Sequence, residues 1–284
     1  MRLVQFLVII STCLVFSSCG LTDNDEPLPF FLKLENPTVT SPTQTKDTHK
    51  ITEVWVFADG QILGIFPLPA KVPVNFTGAE TEITIFAGIR NNGMNDQPVF
   101  YPFYKSIVKK IKPNVGDEIT IPLAFTYIEG TKFAVEESFE NSNTFNNDID
   151  ANPLTFIKPT NVTSSLGSYS GEVTLSSDLK FVEVASSTEI FAGQNSRGAS
   201  YIEFDYKGDG EIAVGLAKTT NGIIKIEYFL FVPGKDSWNK IYVDVTDKLS
   251  TQDYEKYTVL LAFTKTDLNE ESKIYIDNYK HVHF

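Results

Sequence analysis

The stretch "IIKIEYFLFV", residues 223–232, decides the fold class. Ile224, Ile226, Tyr228, Leu230 and Val232 recur at every second position, and Lys225, Glu227, Phe229 and Phe231 fill the alternate ones. Successive side chains of a strand point to opposite sides, so the first set is expected to enter a core and the second to leave it. Neighbouring segments repeat the pattern. Ile202, Phe204 and Tyr206 are expected inward with Tyr201, Glu203 and Asp205 outward; Ile241, Val243 and Val245 inward with Tyr242 and Asp244 outward.

Working outward from this stretch, no segment past residue 20 sustains a helical period. Short apolar runs recur instead, separated by Gly, Pro, Asn and Asp, which is the pattern of an all-β chain. Phe and Tyr, 22 and 12 of them, favour a pleated half-buried surface. The runs fall into two blocks, and 284 residues suit two domains. We expect two β-sandwich domains, residues 29–129 and 130–284. In the first, Asp59-Gly60 between two runs marks a tight hairpin.

The N-terminus reads as an address. Met1-Arg2 gives a positive start, Leu3 to Phe16 is almost continuously apolar, and Ser17-Ser18-Cys19-Gly20 follows. That is a signal-peptide pattern, with an apolar run too short to span a bilayer. Phe16-Ser17-Ser18-Cys19 resembles the lipobox of bacterial lipoproteins, which implies cleavage after residue 18 and lipid on Cys19. Residues 19–28 then form a tether. Its acids, Asp23, Asp25 and Glu26, resemble the surface-export signal of Bacteroidota lipoproteins. The resemblance implies an outer-membrane lipoprotein exposed at the cell surface, with the periplasmic face left open. Formal charge is −12, a balance that opposes nucleic acid and anionic lipid, so the membrane link is expected to be covalent. With Cys13 in the leader, cleavage leaves only Cys19, which excludes a disulfide and thiol catalysis in the folded part.

Two further resemblances concern the blocks. "VWVFADGQILGIFPLPAKVPVNFTGAETEITIFAG", residues 54–88, is similar to PEGA-type and carboxypeptidase-regulatory-type surface domains, which implies an Ig-like, non-enzymatic spacer or adhesion module. In the second block "ESFE" (137–140), "SWNKIYVDVT" (237–246) and "KIYIDNYKHVHF" (273–284) resemble, in that order, the jelly-roll, galactose-binding-like carbohydrate-binding modules. That likeness implies a glycan ligand.

Outward aromatics beside charged groups suit a sugar, whose apolar face stacks on a ring while its hydroxyls take polar partners. The candidate ligand-binding residues are Tyr201, Glu203, Lys225, Phe229, Phe231 and Tyr242; ordinary cross-strand pairing, or cover by the other domain, is the competing account of the same residues. Resemblance to the modules implies a structural calcium held by Glu137, Glu140 and Asp277, oxygen ligands that this ion prefers. His281 and His283 share a face of the last strand without a third ligand and are expected on a surface strand. No G-x-S-x-G, H-E-x-x-H, P-loop or Rossmann glycine pattern occurs, so no enzyme is expected. Were there a glycoside hydrolase, Glu203, Asp205 and Glu227 would be its suspects. The reading is a lipid-anchored binding protein for polysaccharide; the alternative is a structural or adhesion partner in a cell-surface protein assembly.

Overall fold

The computed structural model describes residues 28–42, 47–149, 151–193, 198–251, 253–266 and 271–284. The apolar leader, Cys19 and the tether as far as Pro27 lie outside the described residues. The chain is all-β, and its strands enclose two hydrophobic cores.

The N-terminal sandwich comprises β1 (Pro29–Leu34), β2 (Thr38–Thr40), β3 (Glu53–Ala58), β4 (Gln61–Pro67), β5 (Ala70–Asn75), β6 (Thr81–Arg90), β7 (Pro98–Phe100), β8 (Ile107–Ile111), β9 (Glu118–Thr120) and β10 (Ala124–Thr126). One sheet runs β5-β1-β9; β2 pairs with β10; the larger sheet runs β4-β3-β6, with β7 and β8 in turn along the far edge of β6. The β3–β4 hairpin turns at Asp59 and Gly60, both at positive φ, as a two-residue turn matched to strand twist requires. Val54 and Val56 of β3 and Ile83, Ile85 and Ile89 of β6 are fully buried between the sheets, while Trp55, Phe57 and Phe86 face outward and are half-buried.

The C-terminal sandwich comprises β11 (Lys132–Glu137), β12 (Asn147–Asp148), β13 (Lys158–Thr160), β14 (Ser170–Ser176), β15 (Phe181–Ala185), β16 (Ile190–Phe191), β17 (Ser200–Thr220), β18 (Ile223–Asp244), the short helix α1 (Thr246–Ser250), β19 (Lys256–Thr264) and β20 (Glu271–His283). Strands β17 and β18 form one hairpin more than twenty residues long on each side. The sequence segments 207–210 and 233–238, which read as breaks between separate strands, are kinks within it. Gly208 stands at φ +139° opposite Lys235, and a Cβ on Gly208 or Gly234 would lie 2.2 Å from a carbonyl oxygen. Only glycine admits that approach, so both strands bend together. Before the bend β17 pairs with β20; after it, with β19. The hairpin thus carries one continuous ladder from one layer of the sandwich into the other. Ile202 and Phe204 from one half and Ile212, Val214 and Leu216 from the other meet in a single core with Tyr279 and Phe263.

Strand β20 is interior. It lies between β17 on one side and β14 and β11 on the other, so the expected surface position of its histidines is corrected. His281 is fully buried, with Nε2 3.0 Å from the Ser200 hydroxyl, and burial pushes its pKa down to about 3.

The two sandwiches meet across an aromatic junction. Tyr101, on the loop after β7, packs edge-on to Tyr201 at 5.3 Å and against Tyr242 at 4.9 Å. Phe103 lies 4.6 Å from Phe284. Backbone continues the contact: Asn92 N–H donates to the Tyr242 carbonyl (2.9 Å), and Asp244 N–H to Asn92 Oδ1 (2.9 Å).

Candidate functional site

Alternation correctly sends Tyr201, Glu203 and Tyr242 away from the C-terminal core, but the N-terminal sandwich covers that face. All three are buried, and none forms part of an accessible platform. Tyr201 donates to Asp244 Oδ2 at 3.2 Å. Glu203 Oε1 accepts from the hydroxyls of Tyr101 (2.6 Å) and Tyr127 (2.8 Å), while Lys240 Nζ stands 3.2 Å from Oε2. Burial alone would raise the Glu203 carboxyl. Lys240, Lys280 and the two tyrosines outweigh it and hold the pKa below the usual carboxylate range. Burial also brings Lys280 down to about 8, even with Glu203 pulling it up. These residues form a charged clasp between the sandwiches.

Lys225, Phe229 and Phe231 separate for a different reason. Between Val214 and Gly215 the register with β18 shifts, so that Val214 opposes Leu230 and Gly215 opposes Tyr228. Phe229 is the extra residue of a β-bulge, which reverses the expected alternation on its N-terminal side. Phe229 is half-buried against the core, and Lys248 Nζ stands 5.7 Å from its ring. Lys225 borders a cavity of about 600 Å³ at the hairpin tip, with Lys218, Glu227, Lys248 and Tyr254. Glu227 is held there by Lys248 at 2.8 Å and Lys218 at 3.6 Å. Phe231 stays outside, 58 % exposed.

What the bulge creates is a face that simple alternation misses. Cross-strand partners share a side of the sheet, so the registers define rows. One row reads Glu183, Ala262, Ala213, Phe231; the next reads Ala185, Leu260, Gly215, Tyr228; Ala217 and Ile226 follow. Small residues therefore form the face on β17, with Ala262 beside them and Leu260 in the next row on β19, and large ones rise on β18. The four strands cover three gaps of ~4.8 Å, about 14 Å in all. Tyr228 leans across this floor to donate its hydroxyl to Glu183 Oε1 on β15. Its ring lies over Gly215, where a Cβ would stand 2.9 Å from Tyr228 Cδ1. Phe181 (42 % exposed), Ile226 and Phe231 border the bridged pair.

This constellation, in which the half-buried Tyr228 covers a buried Glu183 and a buried floor while Phe231, Phe181 and Ile226 stay exposed around it, was not singled out from sequence, apart from Phe231. A usable signal was present in "IAVGLA", residues 212–217, where Ala213, Gly215 and Ala217 alternate with large apolar residues. Small residues at period two mark the side on which a neighbouring group must approach closely.

The expected calcium ligands are not gathered. Glu137 Oε1 accepts the Phe139 N–H and Oε2 the Thr144 N–H, each at 2.5 Å. Glu140 Oε1 accepts from the N–H groups of Ser168 and Tyr169. Asp277 accepts from Ser165 N–H (2.9 Å) and Asn278 N–H (2.7 Å). Backbone N–H groups thus occupy the lone pairs a cation would need, and each carboxylate ties down a loop. Among the described residues no three His, Cys, Asp or Glu side chains come together as a metal site, so the donor set does not fit the ion. The Asp277 pKa is pushed up to about 7, chiefly by burial and also by Asp205 opposite it, against the pull of the N–H donors.

No protein-family model matches the chain, and no curated protein matches it. Solved structures similar to it include the C-terminal family 22 carbohydrate-binding module of Clostridium thermocellum Xyn10B, at 13 % identity and TM-score 0.39 over 53 % of this chain and 92 % of that one. A second is from work on the promiscuous specificity of carbohydrate-binding modules of the β-sandwich superfamily, at 13 % identity and TM-score 0.37, covering 81 % of this chain and 84 % of that one. A third is the family 11 carbohydrate-binding module of Clostridium thermocellum with a β-1,3-1,4-mixed-linked tetrasaccharide, at 16 % identity and TM-score 0.38 over 54 % and 95 %.

Proposed function

We propose that this chain is a lipid-anchored, non-catalytic binding protein of the bacterial outer membrane, and that it recognises a glycan on the outer face of its C-terminal sandwich. The observation that carries this reading is the Tyr228–Glu183 bridge flanked by Phe231. An exposed ring offers the apolar face of a sugar a stacking partner, and the half-buried Tyr228 hydroxyl, oriented by its donation to Glu183, supplies a polar partner beside it. Residues 19–28 form the tether with lipid on Cys19, and the N-terminal sandwich is a PEGA-like spacer.

A glycan array probed with residues 21–284 tests the reading. Reproducible binding that falls at least tenfold in both Phe231→Ala and Tyr228→Ala supports it. A blank array with a folded protein would overturn it in favour of a partner role in a surface protein assembly. Radiolabelled palmitate incorporated by the full chain and lost in Cys19→Ala tests the anchor separately.

A further inference from the structure

The outward face of the larger N-terminal sheet is apolar and uncovered. Its rows follow from the registers: Ile65, Trp55 and Phe86 share one side of the sheet, as do Ile62, Phe57, Thr84 and Val108. Phe100, opposite Gly88, completes the set. The rings interlock, Trp55 to Phe100 at 5.9 Å, Phe57 to Phe86 at 5.6 Å and Phe86 to Phe100 at 5.5 Å. Ile62, Phe100 and Val108 are each at least half exposed. Contiguous exposure of this kind marks a contact surface.

Two observations identify the occupant. Along the β8 edge lie Lys105, Lys109, Lys110 and Lys112, all exposed, in a twelve-residue run (105–116) without an acid, although the chain as a whole is at −12. Lys110 shares the outward side with Val108 and stands opposite Glu82; Lys109, opposite Ile83, leaves the sheet edge on the other side, and Lys105 and Lys112 flank the strand. The second observation is where the chain enters. Pro29 pairs with Asn75, six residues before β6 begins at Thr81, and Thr81 pairs with Ile111. The tether therefore joins the sandwich at the pole that carries Lys110, Lys112 and Ile62, whereas Asn91 and Asn92 at the opposite pole meet the C-terminal sandwich. Eight residues, Gly20 to Pro27, reach at most about 30 Å.

We infer that this face docks on the lipid surface to which the chain is tethered, its aromatic and aliphatic side chains entering the interface and its lysines meeting anionic headgroups. Aromatics with a rim of lysines suit the boundary between apolar and wet layers. The inference rests on the anchor at Cys19 for its local concentration, but the contact itself belongs to the sandwich. It leaves the opposite, C-terminal end free for ligand.

The chain has two tryptophans, so Trp238→Phe leaves Trp55, in the middle of the patch, as the sole indole. Residues 21–284 with this change, mixed with vesicles of phosphatidylglycerol and phosphatidylethanolamine, should show blue-shifted emission and sediment with the lipid. Ile65→Ser with Phe100→Ser should cut partitioning at least tenfold, and pure phosphatidylcholine vesicles should weaken it by less. Wild-type protein is sedimented in parallel, and circular dichroism checks each fold. Absence of lipid binding by both folded proteins overturns the inference. So does a concentration-dependent dimer abolished by the same double change, which would assign the face to a second copy. Failure of palmitate labelling would sink the anchor alone, because the vesicle assay uses unlipidated protein.

Discussion

Removing the Glu203 carboxylate should melt both sandwiches together. Glu203→Ala leaves Lys240 with the Thr48 hydroxyl and, as its remaining carboxylate, Asp205 at 3.9 Å, and takes the acceptor from two buried tyrosine hydroxyls and an attractive charge from Lys280. Breaking a buried pair by deleting one partner costs about 3–5 kcal/mol. For a fold of this size each kcal/mol lowers Tm by about 2–4 °C, so the loss should be about 6–20 °C. Trp55 reports the N-terminal sandwich and Trp238 the C-terminal one, so emission from single-tryptophan variants follows each during heating. Both should share one transition, because the clasp and the ring contacts of Tyr101 join the two cores. Glu203→Leu combined with Lys240→Met should cost less than the sum of the two single changes, since it removes the stranded charge as well. Two separate wild-type transitions, or a drop below ~2 °C in Glu203→Ala, would refute the clasp as the link between the sandwiches.

Gly215→Ala should destabilise by about 1–3 kcal/mol, since the new Cβ meets the Glu227 carbonyl at 2.8 Å and the Tyr228 ring at 2.9 Å; an unchanged Tm would mean the ring moves freely. By displacing Tyr228 from Glu183 it should also weaken any glycan binding, measured by titration calorimetry. Asp277 and His281 give opposite pH slopes. The folded Asp277 pKa lies near 7 against an ordinary 3.8, so its contribution is complete below about pH 4 and is lost as pH rises through 7. Asp277→Asn should flatten that slope in urea titrations from pH 4 to 8, and a persisting slope would discount the residue. The folded His281 pKa is near 3 against 6.5, so its neutral form stabilises above pH 6.5 and the contribution is lost as pH falls toward 3. Its neighbours Ser200, Tyr257 and His283 offer no carboxylate to hold a proton, and His281→Gln should remove the acid-limb loss.

Strand content, the Asp59-Gly60 hairpin and the inward sets of β17 were legible because each follows from local period or turn chemistry. Ile202, Phe204 and Tyr206 all stand in the core that alternation assigns them to. The bulge at Phe229 was not legible, because one extra residue reverses the faces on one side of it while the apolar composition stays the same. Tyr201 and Tyr242 expose a second limit. Period two states which side of a sheet a residue takes, and says nothing about whether a second body covers that side. The scatter of Glu137, Glu140 and Asp277 was not legible for a related reason: the carboxylates are present, but nothing in the sequence says that each accepts its own set of backbone N–H donors. The charge run at 105–112 and the outward row of Trp55 and Phe86 were in the sequence too, but only the register brings them to one surface.

Strand β17 links these features mechanically. Its first half carries Tyr201, Glu203 and Asp205 into the clasp, and its second half carries Ala213, Gly215 and Ala217 beneath the exposed face. Gly208 and Gly210, where the strand bends, each lie too close to Ile274 atoms of β20 for a Cβ, so the bend is locked by packing rather than left as a hinge. The exposed face is therefore held at a fixed attitude to the N-terminal sandwich and to the pole where β1 begins. Charged pairs in the clasp add to this: a buried ion pair contributes little net stability over apolar packing, but it tolerates few alternative arrangements. A chain that needed only two tethered binding units could have used a polar linker. This one buries Glu203, Lys240 and Lys280 at the junction, which makes the direction in which its C-terminal face points part of what the fold specifies.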